Sequence, residues 1–344
     1  MNWVPLFFID DVRHQLKLNE VKQVSQLSDS WAEFGSKHNE KRRELIFVCE
    51  VNNQEVSYSL YENDWNFVQL TVADLNLEFD RITTLAWGSA YDHRVSLREF
   101  KRVVQPTVAS LVANCCWRFL SSQHSAQNRF FFKAFKNCPG LTDITFEEQG
   151  HESRDFLARQ VELGNVQKLK LLGTGTLHGI NMWPETENLS ETLKIFNCPG
   201  FRDIIVEEQG EESRDFVARQ VELGNVQTLT LSGTGKWPET ENLSETLKIF
   251  VSSARFHALI SSDVQRDDSE LFELFLERAL AKELKPGAYI VTQAGNFYKN
   301  QLLALHPECR HNSEKDAWQI PNSNLRIALF HLSGKLEVEL NKLQ

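Results

Sequence analysis

The chain has 344 residues, 41% of them hydrophobic and only nine of them proline, which excludes a disordered polymer and suffices for two ordinary domains or one elongated array. Its formal net charge of -10 at pH 7 and pI near 5.6 exclude a broadly cationic surface, so no nucleic-acid partner is expected. No stretch approaches the roughly 20 apolar residues that span a bilayer, and six cysteines, two of them one position copied, are too sparse for a disulfide framework; no membrane is expected, and the location expected is cytoplasmic or nuclear.

Four regions follow in chain order. In residues 1–40, Val4, Leu6, Ile9, Val12, Leu16, Val21, Val24, Leu27 and Trp31 recur at helical spacings, with a break near Lys17–Asn19, which predicts an N-terminal helical hairpin. The apolar run Trp3–Ile9 has no basic flank, so it does not read as a secretory leader. In residues 41–130, Leu45–Val51 and Val56–Tyr61 flank the turn residues Asn52 and Asn53 and predict a β-hairpin. Val68–Leu75 and Arg81–Trp87 are further candidate strands. A long helix is expected from Leu97 to Leu120, which would place Cys115 and Cys116 about 100° apart on its surface.

Residues 131–250 are written twice. Asn137–Gly175 recurs as Asn197–Gly235 with thirty of thirty-nine positions identical, and Trp183–Phe196 recurs unchanged as Trp237–Phe250. Each copy reads as a strand at Asp143–Phe146, a helix capped at Ser153 and stopped at Gly164, a second strand at Val166–Leu171, and a second helix at Leu189–Phe196. The nine differences between copies test this reading. Lys168 and Lys170 become Thr228 and Thr230 while Leu169 and Leu171 persist as leucines, so one strand face varies and the other is kept apolar. Leu141 and Phe146 change only to Phe201 and Val206, whereas Thr142 and Thr145 become Arg202 and Ile205. A strand plus helix of roughly 25–30 residues, used twice per copy, is the spacing of leucine-rich repeats. Residues 251–344 then carry a helix from Ser269 to Leu284 and a hairpin of Leu325–Phe330 with Leu336–Leu340, a C-terminal capping segment.

Chemistry-bearing motifs are weak. Gly173–Gly179 follows a strand, but its third glycine is misplaced for a dinucleotide loop and is missing from the second copy, so no cofactor is expected. His306, Cys309 and His311 lack the second ligand pair of a structural zinc site, and no metal is expected. No serine or cysteine stands in a nucleophile elbow, and His151 becomes Glu211 in the other copy, so no catalytic residue is assigned. Glu147 and Glu148 recur as Glu207 and Glu208, but neighbours along a strand point to opposite faces and cannot act as an acid/base pair.

The segment Val4-Pro-Leu-Phe-Phe-Ile-Asp-Asp-Val12, with Leu16 and then Val24-Ser-Gln-Leu-Ser-Asp-Ser-Trp31, resembles a degenerate F-box, and the whole chain resembles the nematode F-box-related protein family with leucine-rich-repeat-like segments. That resemblance implies that Pro5, Leu6, Ile9, Val12, Leu16, Val24, Leu27 and Trp31 dock on a Skp1-type adaptor and that the array holds a target for ubiquitination. The departures are a short link between the helices and the early arrival of charged Lys37–Glu44. The expected fold is an α/β leucine-rich-repeat-like strand/helix array with an N-terminal helical hairpin and flanking β-hairpins. The expected function is a protein-interaction scaffold without catalysis, its target surface including Glu147, Glu148, Lys168 and Lys170. An enzyme with scattered catalytic residues, and a duplicated family member without a selected role, stay open as alternatives.

Overall fold

Among the described residues, strands whose inward residues lose nearly all solvent pack beneath the helices, and the register of the strands shows how. The computed structural model describes residues 12, 16, 18–27, 30–52, 54–62, 69–119, 128–147, 151–172, 201–207, 211–232, 241–261, 269–292, 310–312, 317–319, 325–332 and 335–342. They belong to two units, Met1–Val166 and Gln167–Gln344, so the division falls inside the first copy of the repeat.

The first unit holds helices α1 (Leu18–Val24) and α2 (Ser30–Lys41), then β1 (Glu44–Asn52), β2 (Glu55–Glu62), β3 (Arg81–Trp87), β4 (His93–Ser96), helix α3 (97–111), β5 (Val112–Phe119), α4 (Asn128–Phe135), β6 (Leu141–Glu147) and α5 (His151–Glu162). Its strands run in the order β6-β5-β3-β1-β2-β4. β1, β3, β5 and β6 are parallel, and β2 and β4 are added antiparallel at one end. The expected hairpin is present, closing at the pair Asn52–Glu55. One row across this sheet is Leu60–Phe47–Leu85–Trp117–Ile144, each at 0% exposure. Phe131, Phe132 and Phe135 of α4 and Phe156 of α5 cover it, the Phe131 and Phe156 rings stacking 4.4 and 4.3 Å from Trp117. Each such aromatic pair adds about 0.5–1.5 kcal/mol beyond its burial.

Several expectations are corrected here. The helix expected to reach Leu120 ends at Leu111, where Val112 turns to an extended backbone. Its helical period fails after that point. Cys115 and Trp117 are buried while Cys116 is half-buried and Arg118 exposed, which is the two-residue period of a strand, so the adjacent cysteines lie on opposite faces of β5. Within α3, Phe100–Val104 widens to a π-turn. Pro106 has no N–H for the carbonyl of Arg102, and the Gln105 N–H bonds back to Phe100 instead.

Val68–Leu75 does not supply a strand. Its described part is a short 3-10 turn, Val72–Asp74, held by the Asp74 carboxylate, which accepts from the Thr71 N–H at 2.9 Å and the Thr71 hydroxyl at 2.7 Å. Ser153 is not a cap: α5 starts at His151, and Ser153 sits in its first turn at 0% exposure. A residue small and polar enough to cap a helix also fits a crowded buried turn, and sequence alone does not separate the two. Gly164 does end α5, with φ +74, and Gly224 repeats it at φ +70. The chain bends at Leu16 and α1 starts at Leu18, while Lys17, inside the expected break, lies outside the described residues; a second break follows at Ser25–Leu27, where the Ser25 hydroxyl donates to the Lys22 carbonyl and closes α1. Gly35 of α2 meets this turn so closely that a Cβ would stand 2.6 Å from the Ser25 nitrogen.

Asp80 ties α2 and β1 to β3. Its carboxylate, at 0% exposure, accepts from Arg43 Nε at 2.8 Å, from an Arg43 terminal nitrogen at 2.6 Å and from the Asn76 N–H at 2.7 Å. These bonds hold the Arg43 guanidinium above its usual pKa. Asp80→Asn, which cannot accept all three, is expected to cost about 1.5–3 kcal/mol, read as faster hydrogen exchange across residues 76–87. Unchanged exchange would contradict this role.

The second unit contains β7 (Lys168–Leu172), β8 (Asp203–Glu207), α6 (Glu211–Glu222), β9 (Thr228–Ser232), α7 (Glu241–Ser252), β10 (Ala258–Ser261), α8 (Ser269–Leu280), β11 (Tyr289–Thr292), β12 (Arg310–Asn312), β13 (Ala317–Gln319), β14 (Leu325–Leu332) and β15 (Lys335–Lys342). The order is β7-β8-β9-β10-β11-β15-β14-β13-β12. β7 to β11 are parallel and stand side by side in chain order, and the expected hairpin β14/β15 pairs antiparallel onto β11. A chain that always steps the same way through right-handed crossovers leaves its helices on one face. α6, α7 and α8 do pack side by side.

Leu169 and Leu229 occupy equivalent places in this sheet, two strands apart, in the row Leu169–Ile204–Leu229–Leu259–Ile290–Val338 with no member above 1% exposure. Lys168, Lys170, Thr228, Thr230 and Ile205, which change polarity or charge between the copies, are half-buried, whereas buried positions that differ, Leu141/Phe201 and Phe146/Val206 among them, stay apolar. Successive helices are also clamped end to side. Gln160 of α5, at 0% exposure, donates to the last carbonyls of α4 at Phe135 and Lys136, and Arg278 of α8 donates to Val251 and Ser253 at the end of α7. The helix expected to reach Leu284 stops at Leu280, where Lys282 takes φ +63. The chain as a whole is thus mixed α/β, with large, mostly parallel sheets and helices between the strands.

Candidate functional site

The residues expected to dock an adaptor divide into three groups. Pro5, Leu6 and Ile9 lie outside the described residues. Val12 and Leu16 are half-buried, the first in a helical turn and the second at a bend. Val24 ends α1, Leu27 stands in the link at 55% exposure, and Trp31 opens α2, so the last three flank one turn with Leu27 turned to solvent. Farther along α2 the helix is already engaged. His38 packs on the Phe79 ring at 4.9 Å and is 1% exposed, Lys37 and Lys41 lie over the same ring, and Lys37 pairs with Glu78 at 2.9 Å. The charged segment Lys37–Glu44 therefore anchors the helix pair to the strands behind it.

Of the residues expected to meet a target, Lys168 and Lys170 project from β7 on the face opposite Leu169 and Leu171. In register with them run Asp203 and Thr228, and then Ile205, Thr230, Ile260 and Val291, none of which is fully buried. Glu147 ends β6 with a side chain outside the described set, as is all of Glu148. His151 is exposed, 3.6 Å from Asp155 of its own helix, a surface pair rather than part of a triad. Among the described residues no group of three His, Cys, Asp or Glu is placed to hold a metal, and no helix is long and apolar enough to cross a membrane. The loops at Gly173 and His306 lie outside the described residues.

One concave feature was not foreseen. Between α1 and strands β1, β3 and β5 the first unit opens a cleft of about 500 Å³, walled by Lys22 on α1 and by Arg42 and Glu44 at the start of β1, and floored by Thr84, Cys116 and Arg118. Arg118 Nε donates to the Cys116 sulfur at 2.9 Å, and this bond raises the Arg118 pKa. Arg42 reaches Glu44 at 3.7 Å; burial lowers its pKa, against the pull of Glu44 and Glu20. The other described cysteines differ. Cys49, Cys115 and Cys138 are buried, and burial pushes all three thiols up, Cys138 to about 11. Assigning residues 112–119 to a helix hid this site.

No protein-family model matches the chain, and no curated protein matches it in sequence. Among solved structures the chain is similar to the MycE methyltransferase from the mycinamycin biosynthetic pathway in complex with Mg, SAH and mycinamycin VI, at 11% identity over 100% of this chain and 94% of that one. The TM-score is 0.21, and the likeness carries no argument about fold or chemistry.

Proposed function

We propose that this chain is a protein-interaction scaffold, the substrate receptor of a Skp1-cullin-type ubiquitin ligase, acting by binding and not by catalysis. The observation that carries the reading is the strand order of the second unit. Parallel strands stand in chain order, with the leucine row buried on one side and half-buried residues on the other; this order supports a leucine-rich-repeat-like array, and such arrays present broad surfaces to macromolecules. On this reading Lys168 and Lys170, with Glu147 and Glu148 at the rim, meet the target. The adaptor docks on the N-terminal helical segment through Pro5, Leu6, Ile9, Val12, Leu16, Val24, Leu27 and Trp31. Leu27, apolar and 55% exposed between two helices, supports that assignment. A ligase of this class places the protein in the cytoplasm or nucleus.

The purified chain is expected to co-purify with a Skp1-type adaptor, and a variant with Leu6→Asp and Trp31→Asp to lose at least tenfold in affinity while keeping its circular dichroism. Lys168→Glu with Lys170→Glu should leave adaptor binding unchanged. No binding by the native chain, or full binding by the double aspartate variant, rejects adaptor docking.

A further inference from the structure

We propose that the cleft of the first unit is a binding site for a small oxyanion-bearing molecule, a carboxylate or phosphate compound gripped by Arg118 and Lys22. Three features lead there independently. The first is backbone geometry. The strand pairing slips three times at one level: β1 against β3 past Thr83, β3 against β5 past Thr83 and Ala113–Cys115, and β5 against β6 past Thr142. Each slip interrupts a hydrogen-bond ladder that regular pairing would complete, and bulges of this kind re-aim side chains beside binding sites. Here they re-aim the floor of the cleft, where Thr83 and Asn114 are among the lining residues. Asn114 itself takes φ +47, the left-handed region that only asparagine and a few other non-glycine residues visit.

The second feature is charge. Three cations line the cleft against one acid, in a chain whose net charge is -10. Arg42 is engaged by Glu44, with Glu20 also near it, and Asp143 of β6 stands near Arg118. The Lys22 ammonium has no partner among the described residues, and Arg118 gives only its Nε to Cys116. The two terminal nitrogens of Arg118 remain to grip an oxyanion through paired N–H bonds. The third feature is size and neutral polarity. A volume of about 500 Å³ lies within the roughly 300–1,000 Å³ of small-molecule sites, and Thr83, Thr84 and Asn114 add hydroxyl and amide groups to orient a ligand.

Cys116 supplies a reporter inside the site. In the native chain, inorganic phosphate or citrate at millimolar concentration is expected to slow alkylation of Cys116 by iodoacetamide at least fivefold, read on its own peptide by mass spectrometry, relative to sodium chloride of equal ionic strength. The two anions distinguish a phosphate ligand from a carboxylate one. In Lys22→Gln, which leaves the Arg118–Cys116 bond in place, protection measured against that variant's own ligand-free alkylation rate should weaken severalfold. Calorimetry with the protecting anion should then show a loss of at least tenfold in affinity for Lys22→Gln combined with Arg118→Gln, both exposed positions whose change leaves the fold intact. Protection no greater than that from chloride, or undiminished calorimetric binding by the double variant, overturns the proposal. Neither measurement involves an adaptor, so its outcome is independent of ligase membership.

Discussion

Trp117→Ala is expected to remove about 3–5 kcal/mol from the first unit, the range for deleting a buried indole from a close-packed core. Trp117 is fully buried, at 0% exposure, and is the ring on which α4 and α5 converge: Phe131 and Phe156 stack at 4.4 and 4.3 Å, and Phe132 and Phe135 lie at 6.0 and 6.2 Å. No single neighbour can collapse into the space without abandoning its own contacts. Native domains hold only about 5–15 kcal/mol in all, so the loss brings the unit close to unfolding. Hydrogen exchange of the amides in β3, β5 and β6 is the right measurement. Two units make a single melting transition ill-defined, and eight tryptophans blur fluorescence. Protection within about 1 kcal/mol of native would mean that the aromatic cluster does not hold the helices to the sheet.

The second large effect contrasts two adjacent residues. Leu229→Ala is expected to cost about 2–5 kcal/mol, because Leu229 is at 0% exposure and its strand neighbours Ile204 and Leu259 are equally enclosed. Thr230→Lys, one residue along, restores what the first copy carries at Lys170 and is expected to change stability by no more than about 0.5 kcal/mol. Urea titration of both variants, followed by exchange in β8, β9 and β10, separates them. Comparable losses at the two positions would sink the assignment of inner and outer faces.

That contrast rests on a reading available before any coordinates. The two copies act as an internal mutagenesis experiment: Leu141, Phe146, Leu169 and Leu171 and their counterparts stayed apolar, and all are buried, while Thr142, Thr145, Lys168 and Lys170 drifted and are half-buried. Outside the duplicated block no such comparison is possible. β10 and β11 escaped because a four-residue strand is too short to display a period. The run from Phe100 to Trp117 mixes two periods, and the helical one, being longer, was extended past Leu111 into β5. The cleft was not legible at all. It depends on strand slippage at Thr83, Asn114 and Thr142, which is settled by pairing partners distant in sequence and leaves no mark in local composition.

In the second unit each of β8, β9 and β10 bonds only to the strand before it and the strand after it. Damage in such an arrangement stays local, because an injured layer unsettles the pair that flank it and leaves the next ones to their own partners. Denaturant should therefore open this part of the molecule progressively from a weakened point, as a zipper parts, and a partner gripping two or three adjacent layers would brace them without stiffening the remainder.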